Sequence, residues 1–257
     1  MKPPFFVIGA PRSGTSYLVE VLDRHPEIFL TNETRVMTFF HRALTQWSNN
    51  KHALMTGKKV FLKTFEKHVP EIVRDFYREL GATEDMRWGD KFPHYADSKT
   101  DPELPSLINR AFPRSQFVHI TRDGRDVVAS LIDKGWADFD EACDVWSRHV
   151  EASRVIGNRV GPERYFEFRY DDLVTQGPKT ISSLLEFLGL ENAGDVTEFL
   201  IAQEKERTPF SGATTEASGI GKHGWQKKLT AQQISAFNST FGPLLESTGY
   251  AVDPVDA

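Results

Sequence analysis

The residues best placed to do chemistry open with Gly9-Ala10-Pro11-Arg12-Ser13-Gly14-Thr15-Ser16, between an apolar run and an amphipathic one. A strand-to-helix turn of this make-up aims successive backbone N–H groups and a helix N-terminus at one point, which suits a phosphate or a sulfate. Gly14 lets the backbone approach the anion, Arg12 supplies a fixed positive charge, and Ser13, Thr15 and Ser16 supply hydroxyl donors. The spacing imitates the triphosphate loop G-x-x-x-x-G-K-[ST], but Thr15 stands where its lysine belongs. That replacement argues against an ATP-dependent small-molecule kinase. The bland alternative is an ordinary glycine-containing turn.

A second cluster, Arg122-Asp123-Gly124-Arg125-Asp126 through Ser130, again sits where a strand gives way to a helix. Arg122 and Ser130 stand about two helical turns apart, so they meet only if the guanidinium reaches back along the helix. Joined in that way, they would hold one terminal phosphate. Alone, such a cluster reads equally as a solvated salt-bridge network. Its place after an anion loop gives it weight.

Both motifs need elements to position them. Phe5 to Gly9 reads as a short strand, followed by a helix from Thr15 to Asp23 that stops before His25-Pro26. Gln116 to Ile120 is a second strand, followed by a helix from Asp126 to about Lys134. Tyr165 to Tyr170 is a third, and Pro178 then opens an amphipathic helix ending at Leu188-Gly189. Helical stretches around Glu141–Asn158 and Ala231–Leu245 would pack outside. This alternation predicts an α/β fold of three layers, a mainly parallel sheet flanked by helices, in a single domain over 1–257. Between Glu204 and Gly224, Gly, Ser, Thr and Pro residues break the periodicity, which suggests a mobile loop able to close over a ligand.

The 257 residues carry a net charge of −5, so a nucleic-acid partner is not expected and any anion site must be a local cluster. No apolar run approaches the ~20 residues that span a bilayer, and nothing reads as a signal peptide, so neither a membrane partner nor export is expected. The expected location is the cytoplasm. Cys143 is the only cysteine, which leaves no intrachain disulfide. The histidines, His94 and His149 among them, show no zinc-ligand spacing, and no metal is expected. Oligomeric state is not written in these patterns.

With both anion motifs in order, the sequence resembles the sulfotransferases that use 3'-phosphoadenosine 5'-phosphosulfate (PAPS). It is most similar to the tyrosylprotein sulfotransferases and their bacterial relatives. Pro11 to Ser16 resembles their 5'-phosphosulfate loop, and Arg122 to Ser130 their 3'-phosphate site. Leu22-Asp23, His25-Pro26 and Glu33-Thr34-Arg35-Val36 follow their N-terminal pattern. Asp90-Lys91-Phe92-Pro93 resembles their Asn-Lys-Asp-Pro segment, and Arg169 to Val174 their Arg-Tyr-Glu-x-Leu-Val strand end. The resemblance runs from Phe6 to about Leu190, with a fainter match at Trp225.

The resemblance implies a P-loop-type nucleotide-binding fold, PAPS as donor and no metal. It implies that Glu33 is the general base toward an acceptor hydroxyl, although in Asn32-Glu33-Thr34 a helix-start carboxylate is the competing reading. Lys91 would face the donor's bridging oxygen and, with Arg12, offset charge on the leaving phosphate. Arg35 matches an arginine near the acceptor, and His94 follows Lys91 closely enough to enter the acceptor pocket. Tyr170 either donates to a donor phosphate or fills the core. Trp225 either covers the adenosine or belongs to the core, and Lys222 or Lys227 would supply the accompanying cation. The acceptor is open among a small-molecule alcohol, a phenol, a sugar and a carrier-bound hydroxyl. With no anchor and no disulfide, tyrosine of secreted proteins is less expected. A non-catalytic nucleotide-binding protein is the alternative outside enzymes, but it would need neither Glu33 nor Lys91.

Overall fold

Phe5-Phe6-Val7-Ile8 alternates its side chains between two interiors, as the period of two in a strand requires, and so divides the molecule into layers. The computed structural model describes residues 1–49, 58–97, 99, 101–191, 194–206 and 224–252. In chain order the elements are β1 (Phe5–Ile8), α1 (Thr15–Leu22), β2 (Ile28–Asn32), α2 (Val36–Asn49), α3 (Lys58–Glu79) and β3 (Arg87–Lys91). A 3-10 turn (Pro93–Ala96), α4 (Leu104–Ala111), β4 (Gln116–Thr121), α5 (Gly124–Asp133) and α6 (Phe139–Val160) follow. The chain continues with β5 (Tyr165–Arg169), α7 (Tyr170–Thr175), α8 (Gly177–Leu188), α9 (Gly194–Glu206), α10 (Trp225–Lys228) and α11 (Ala231–Ser247).

On one face Phe6, Ile8, Trp88 and Phe117 pack against Val73 and Tyr77 of α3 and Ile108 of α4. On the other, Phe5, Val7, Val118 and Ile120 meet Leu18 of α1 and Leu184 and Leu188 of α8. A third cluster joins Val127, Trp146, Trp225 and Phe237 from α5, α6, α10 and α11. Each fully buried side chain of this size contributes about 1.5–3 kcal/mol. These contacts hold the strands in place, and the strand ends hold the site.

The sheet has five strands in the order β2-β3-β1-β4-β5, and every pairing is parallel. The three-layer α/β expectation is met. From β1 the chain goes to β2 on one side, whereas from β4 it goes to β5 on the other. Connections that diverge from adjacent strands leave a crevice beyond their C-terminal ends, where α/β proteins bind ligands. The turn after β1 and the turn after β4 border it.

The three expected strands are present, with Tyr170 opening α7 rather than closing β5. β2 and β3 are additions to that expectation. β3 reads Arg87-Trp88-Gly89-Asp90-Lys91, in which three of five residues are charged, yet all five are buried. Gly89 is needed there, because a Cβ would come within 1.8 Å of the Phe5 carbonyl oxygen on β1. No helix among the described residues is long and apolar enough to cross a membrane. The expected loop over 204–224 falls mostly on residues 207–223, outside the described residues.

Candidate active site

Three strand ends build the site. After β1, Gly9, Arg12 and Gly14 all take positive φ, which curls the turn and leaves α1 starting at Thr15 with no side-chain cap. No acidic residue occupies that first turn, so its N–H groups stay open to an anion. Ser13 is buried, and its Oγ has no hydrogen-bond partner among the described residues. An orphaned hydroxyl beside open N–H groups is what a bound phosphate or sulfate would satisfy.

Arg12, at φ 71°, turns its side chain onto α5, where Nε donates to Ser130 Oγ at 3.0 Å. Arg122, leaving β4, donates through Nη1 to the Arg12 carbonyl at 3.2 Å and lies over the Tyr170 ring at 4.7 Å. Ser130 therefore meets Arg12, where the sequence suggested Arg122. The reason is geometric: Ser130 sits two turns into α5, and the turn after β1 passes nearer to it. Burial, and next the like charge of Arg122, push the Arg12 guanidinium below its ordinary pKa, with Asp133 opposing. Neither arginine is in a salt bridge among the described residues. Two adjacent guanidiniums without a carboxylate partner form a site for a multiply charged anion.

Tyr170 fills the space beside Gly14, where a Cβ would lie 2.2 Å from the Tyr170 ring. With φ at +94°, Gly14→Ala is both strained and blocked, the conformation alone costing about 1–3 kcal/mol. It should lower Tm and weaken sulfate binding together. A variant that melts and binds like the parent would show that the turn is not held this way.

Glu33 and Lys91 come from neighbouring strands. Asn32 pairs with Lys91 across β2 and β3, and the Glu33 N–H continues the ladder to the Lys91 carbonyl at 2.8 Å. Lys91 is only 2% exposed, and its Nζ donates to Glu33 Oε1 at 2.7 Å. Arg35 reaches Glu33 Oε2 at 3.4 Å and lies over the Phe92 ring at 4.9 Å. Burial raises the Glu33 carboxyl, but Lys91 and Arg35 outweigh it, and the net pKa falls below the ordinary glutamate value.

What holds Glu33 there is Asp90, a residue to which the sequence alone assigns no role. Glu33 and Arg35 both sit at positive φ, 62° and 58°, a conformation costly for non-glycine residues. Asp90, fully buried, accepts from the Thr34 N–H at 3.1 Å, the Arg35 N–H at 3.3 Å and the Tyr95 hydroxyl at 2.6 Å. Thr31 Oγ1 adds a bond of 2.8 Å. A lone aspartate amid Trp88, Gly89, Phe92 and Pro93 is the one signal that could have found it.

The remaining candidates are spread wider. Thr15 is buried at the start of α1, and Ser16 follows it. His94 lies on the 3-10 turn beside Phe92, with ring centroids 5.2 Å apart. Trp225 takes the core placement: it is buried, its ring lies under Arg125 at 4.1 Å, and its backbone N–H donates to Asp126 Oδ1 at 3.0 Å. Lys227 is exposed, whereas Lys222 lies outside the described residues.

The sulfotransferase family model matches residues 3–194. Protein-tyrosine sulfotransferase 1 of Homo sapiens is 30% identical over 196 residues, covering 72% of this chain and 51% of that protein. Protein-tyrosine sulfotransferase 2 of Gallus gallus is 27% identical over 197 residues, covering 73% and 51%. The chain spans about half the length of the curated relatives it matches. The sulfotransferase domain from the curacin biosynthetic pathway superposes with a TM-score of 0.61 at 18% identity, covering 94% of this chain and 98% of its own. A mouse sulfotransferase complexed with PAP gives 0.57 at 15%, covering 97% and 90%. Those two likenesses speak for the fold alone. The family match covers β1 through α8, and so every strand end that builds the site; this chain belongs to the sulfotransferase family.

Proposed function

We propose that the chain transfers a sulfuryl group from PAPS to an acceptor hydroxyl by in-line displacement. The observation that carries this reading is the pairing of two sites along one sheet edge. An anion cradle with unpaired guanidiniums sits at β1 and β4, and a buried lysine–carboxylate pair sits at β2 and β3. Family membership supports the donor, as does the PAP held by the mouse sulfotransferase of the same fold.

In this reading the open N–H groups of α1, the Ser13 hydroxyl and Arg12 hold the 5'-phosphosulfate. Arg122 and Ser130, bridged by Arg12, hold the 3'-phosphate. Glu33 accepts the proton of the acceptor hydroxyl as its oxygen bonds to sulfur. Lys91 meets the negative charge left when the sulfur–oxygen bond to the 5'-phosphate breaks. Departure of Lys91 from Glu33 toward that oxygen frees the carboxylate to act as base. The names of the curated relatives support a tyrosyl phenol as the first acceptor to be tried.

Calorimetry distinguishes this from ATP chemistry. Adenosine 3',5'-bisphosphate should bind much more tightly than ATP, which lacks the 3'-phosphate. Arg122→Ala should remove about 2–3 kcal/mol of that affinity, as loss of a charge-assisted contact does. Equal affinity for the two nucleotides would sink the reading.

A further inference from the structure

Two histidines far apart in sequence meet between the 3-10 turn and α6. His94, Asp97 and His149 each offer one ligand atom, and the three atoms lie within 4.8 Å of one another. Their separation along the chain explains why no zinc-like spacing is visible in the sequence. One observation sets the group apart from an ordinary ion-pair cluster, and a second is compatible with a shared ion.

The first is His149. It is fully buried, and its Nδ1 lies 2.7 Å from the Val145 carbonyl oxygen of its own helix. A carbonyl only accepts, so Nδ1 carries the proton and Nε2 presents a lone pair. That Nε2 is buried with no hydrogen-bond partner among the described residues. An imidazole oriented through Nδ1–H on a backbone carbonyl, with Nε2 bare, is the arrangement of a metal-ligating histidine.

The second is the way Asp97 is held. Its Oδ1 accepts from Arg148 Nε at 3.0 Å and from the Lys99 N–H at 3.0 Å. Its Oδ2 faces His94 Nδ1 at 3.2 Å. Ligands at about 2.0–2.1 Å from a tetrahedral zinc ion stand about 3.3 Å apart. The His94–Asp97 pair, hydrogen-bonded to each other without an ion, stands at about that separation, so an ion could replace the bond with little movement. His94, 42% exposed, has the freedom to close the set and leaves a side open to solvent.

We propose that His94, Asp97 and His149 form a binding site for a divalent transition-metal ion of the zinc class. Two imidazole nitrogens and one carboxylate oxygen select zinc or its neighbours over Mg²⁺ and Ca²⁺, which take oxygen ligands. Arg148 and the Lys99 N–H orient the carboxylate, and Val145 orients His149. Arg148 also offsets part of the Asp97 charge, so the imidazoles supply most of the affinity. The ion fastens the turn that follows Lys91 and Phe92 onto α6. This site is a structural clasp, separate from the transfer chemistry proposed above, and it stands or falls without that reading.

The test is a titration of the full chain, stripped with chelator, with Zn²⁺ alone by calorimetry, and with Co²⁺ followed by visible absorption. One saturable Zn²⁺ site, a rise in Tm with Zn²⁺ but not Mg²⁺, and the d–d bands of low-coordinate Co²⁺ are expected. His94→Ala and Asp97→Asn should each weaken Zn²⁺ binding by more than about 100-fold, beyond the 10–100-fold that loss of an outer partner costs. His149→Ala empties a buried position, so the half-exposed His94 carries the comparison if that variant fails to fold. Absence of saturable Zn²⁺ binding overturns the proposal. So does Zn²⁺ binding that His94→Ala and Asp97→Asn leave unchanged.

Discussion

Glu33→Gln is expected to lower turnover by ~10²–10⁴ while leaving affinity for adenosine 3',5'-bisphosphate essentially unchanged, the usual signature of a lost general base. The substitution keeps the size of the side chain and an oxygen able to accept from Lys91 Nζ, now 2.7 Å away. The turn should persist, because Asp90 holds it through the Thr34 and Arg35 N–H groups rather than through the Glu33 carboxylate. Only the ability to take a proton is lost. A strongly acidic phenol, which ionises unaided, should partly rescue the variant. The free parent enzyme should keep its acid limb below the ordinary glutamate pKa, since Lys91 and Arg35 outweigh the opposing effect of burial. That limb should vanish in the variant. Near-normal turnover with an aliphatic alcohol would show that the base lies elsewhere.

Lys91→Ala should reduce turnover by ~10²–10³, the usual worth of one preorganised group facing developing charge, and should weaken donor binding as well. The effect is large because Lys91 is almost wholly buried, so water cannot replace its charge at the same point. It has a second readout. Removing the ammonium takes away the main partner that lowers the Glu33 carboxyl, so the acid limb of kcat/KM should move to higher pH. An acidic phenol should restore little, because the missing charge acts on the leaving group and not on the acceptor. Unchanged donor affinity together with an unmoved acid limb would remove Lys91 from the mechanism.

The two variants separate the halves of the site, and the halves differ in how visible they are from sequence. The turn from Gly9 to Ser16 and the run from Arg122 to Ser130 are contiguous, and each lies on one strand–turn–helix junction. Their chemistry follows from neighbouring residues, so composition and spacing suffice to find them. Glu33 and Lys91 stand out only through the family resemblance. They are 58 residues apart, on strands whose residues give no clear alternating signal. Asp90, which shapes the Glu33 turn, and the metal-ligand geometry around His149 are not legible in either way.

What the sequence by itself determined is the local part: apolar runs that become strands, a helix start at Thr15, a second helix expected from Asp126 that the structure begins two residues earlier at Gly124, and a glycine-bearing turn that presents donors to an anion. Tertiary structure alone decided that Arg12 rather than Arg122 reaches Ser130 and that Asn32 stands beside Lys91. It also decided that Asp90 is buried beneath the Glu33–Arg35 turn. The physical reason is that propensity and turn chemistry act over a few residues. The register of β2 on β3, and of β3 on β1, is instead selected by burial of Trp88, Phe6 and Phe5 between helix layers contributed by distant parts of the chain.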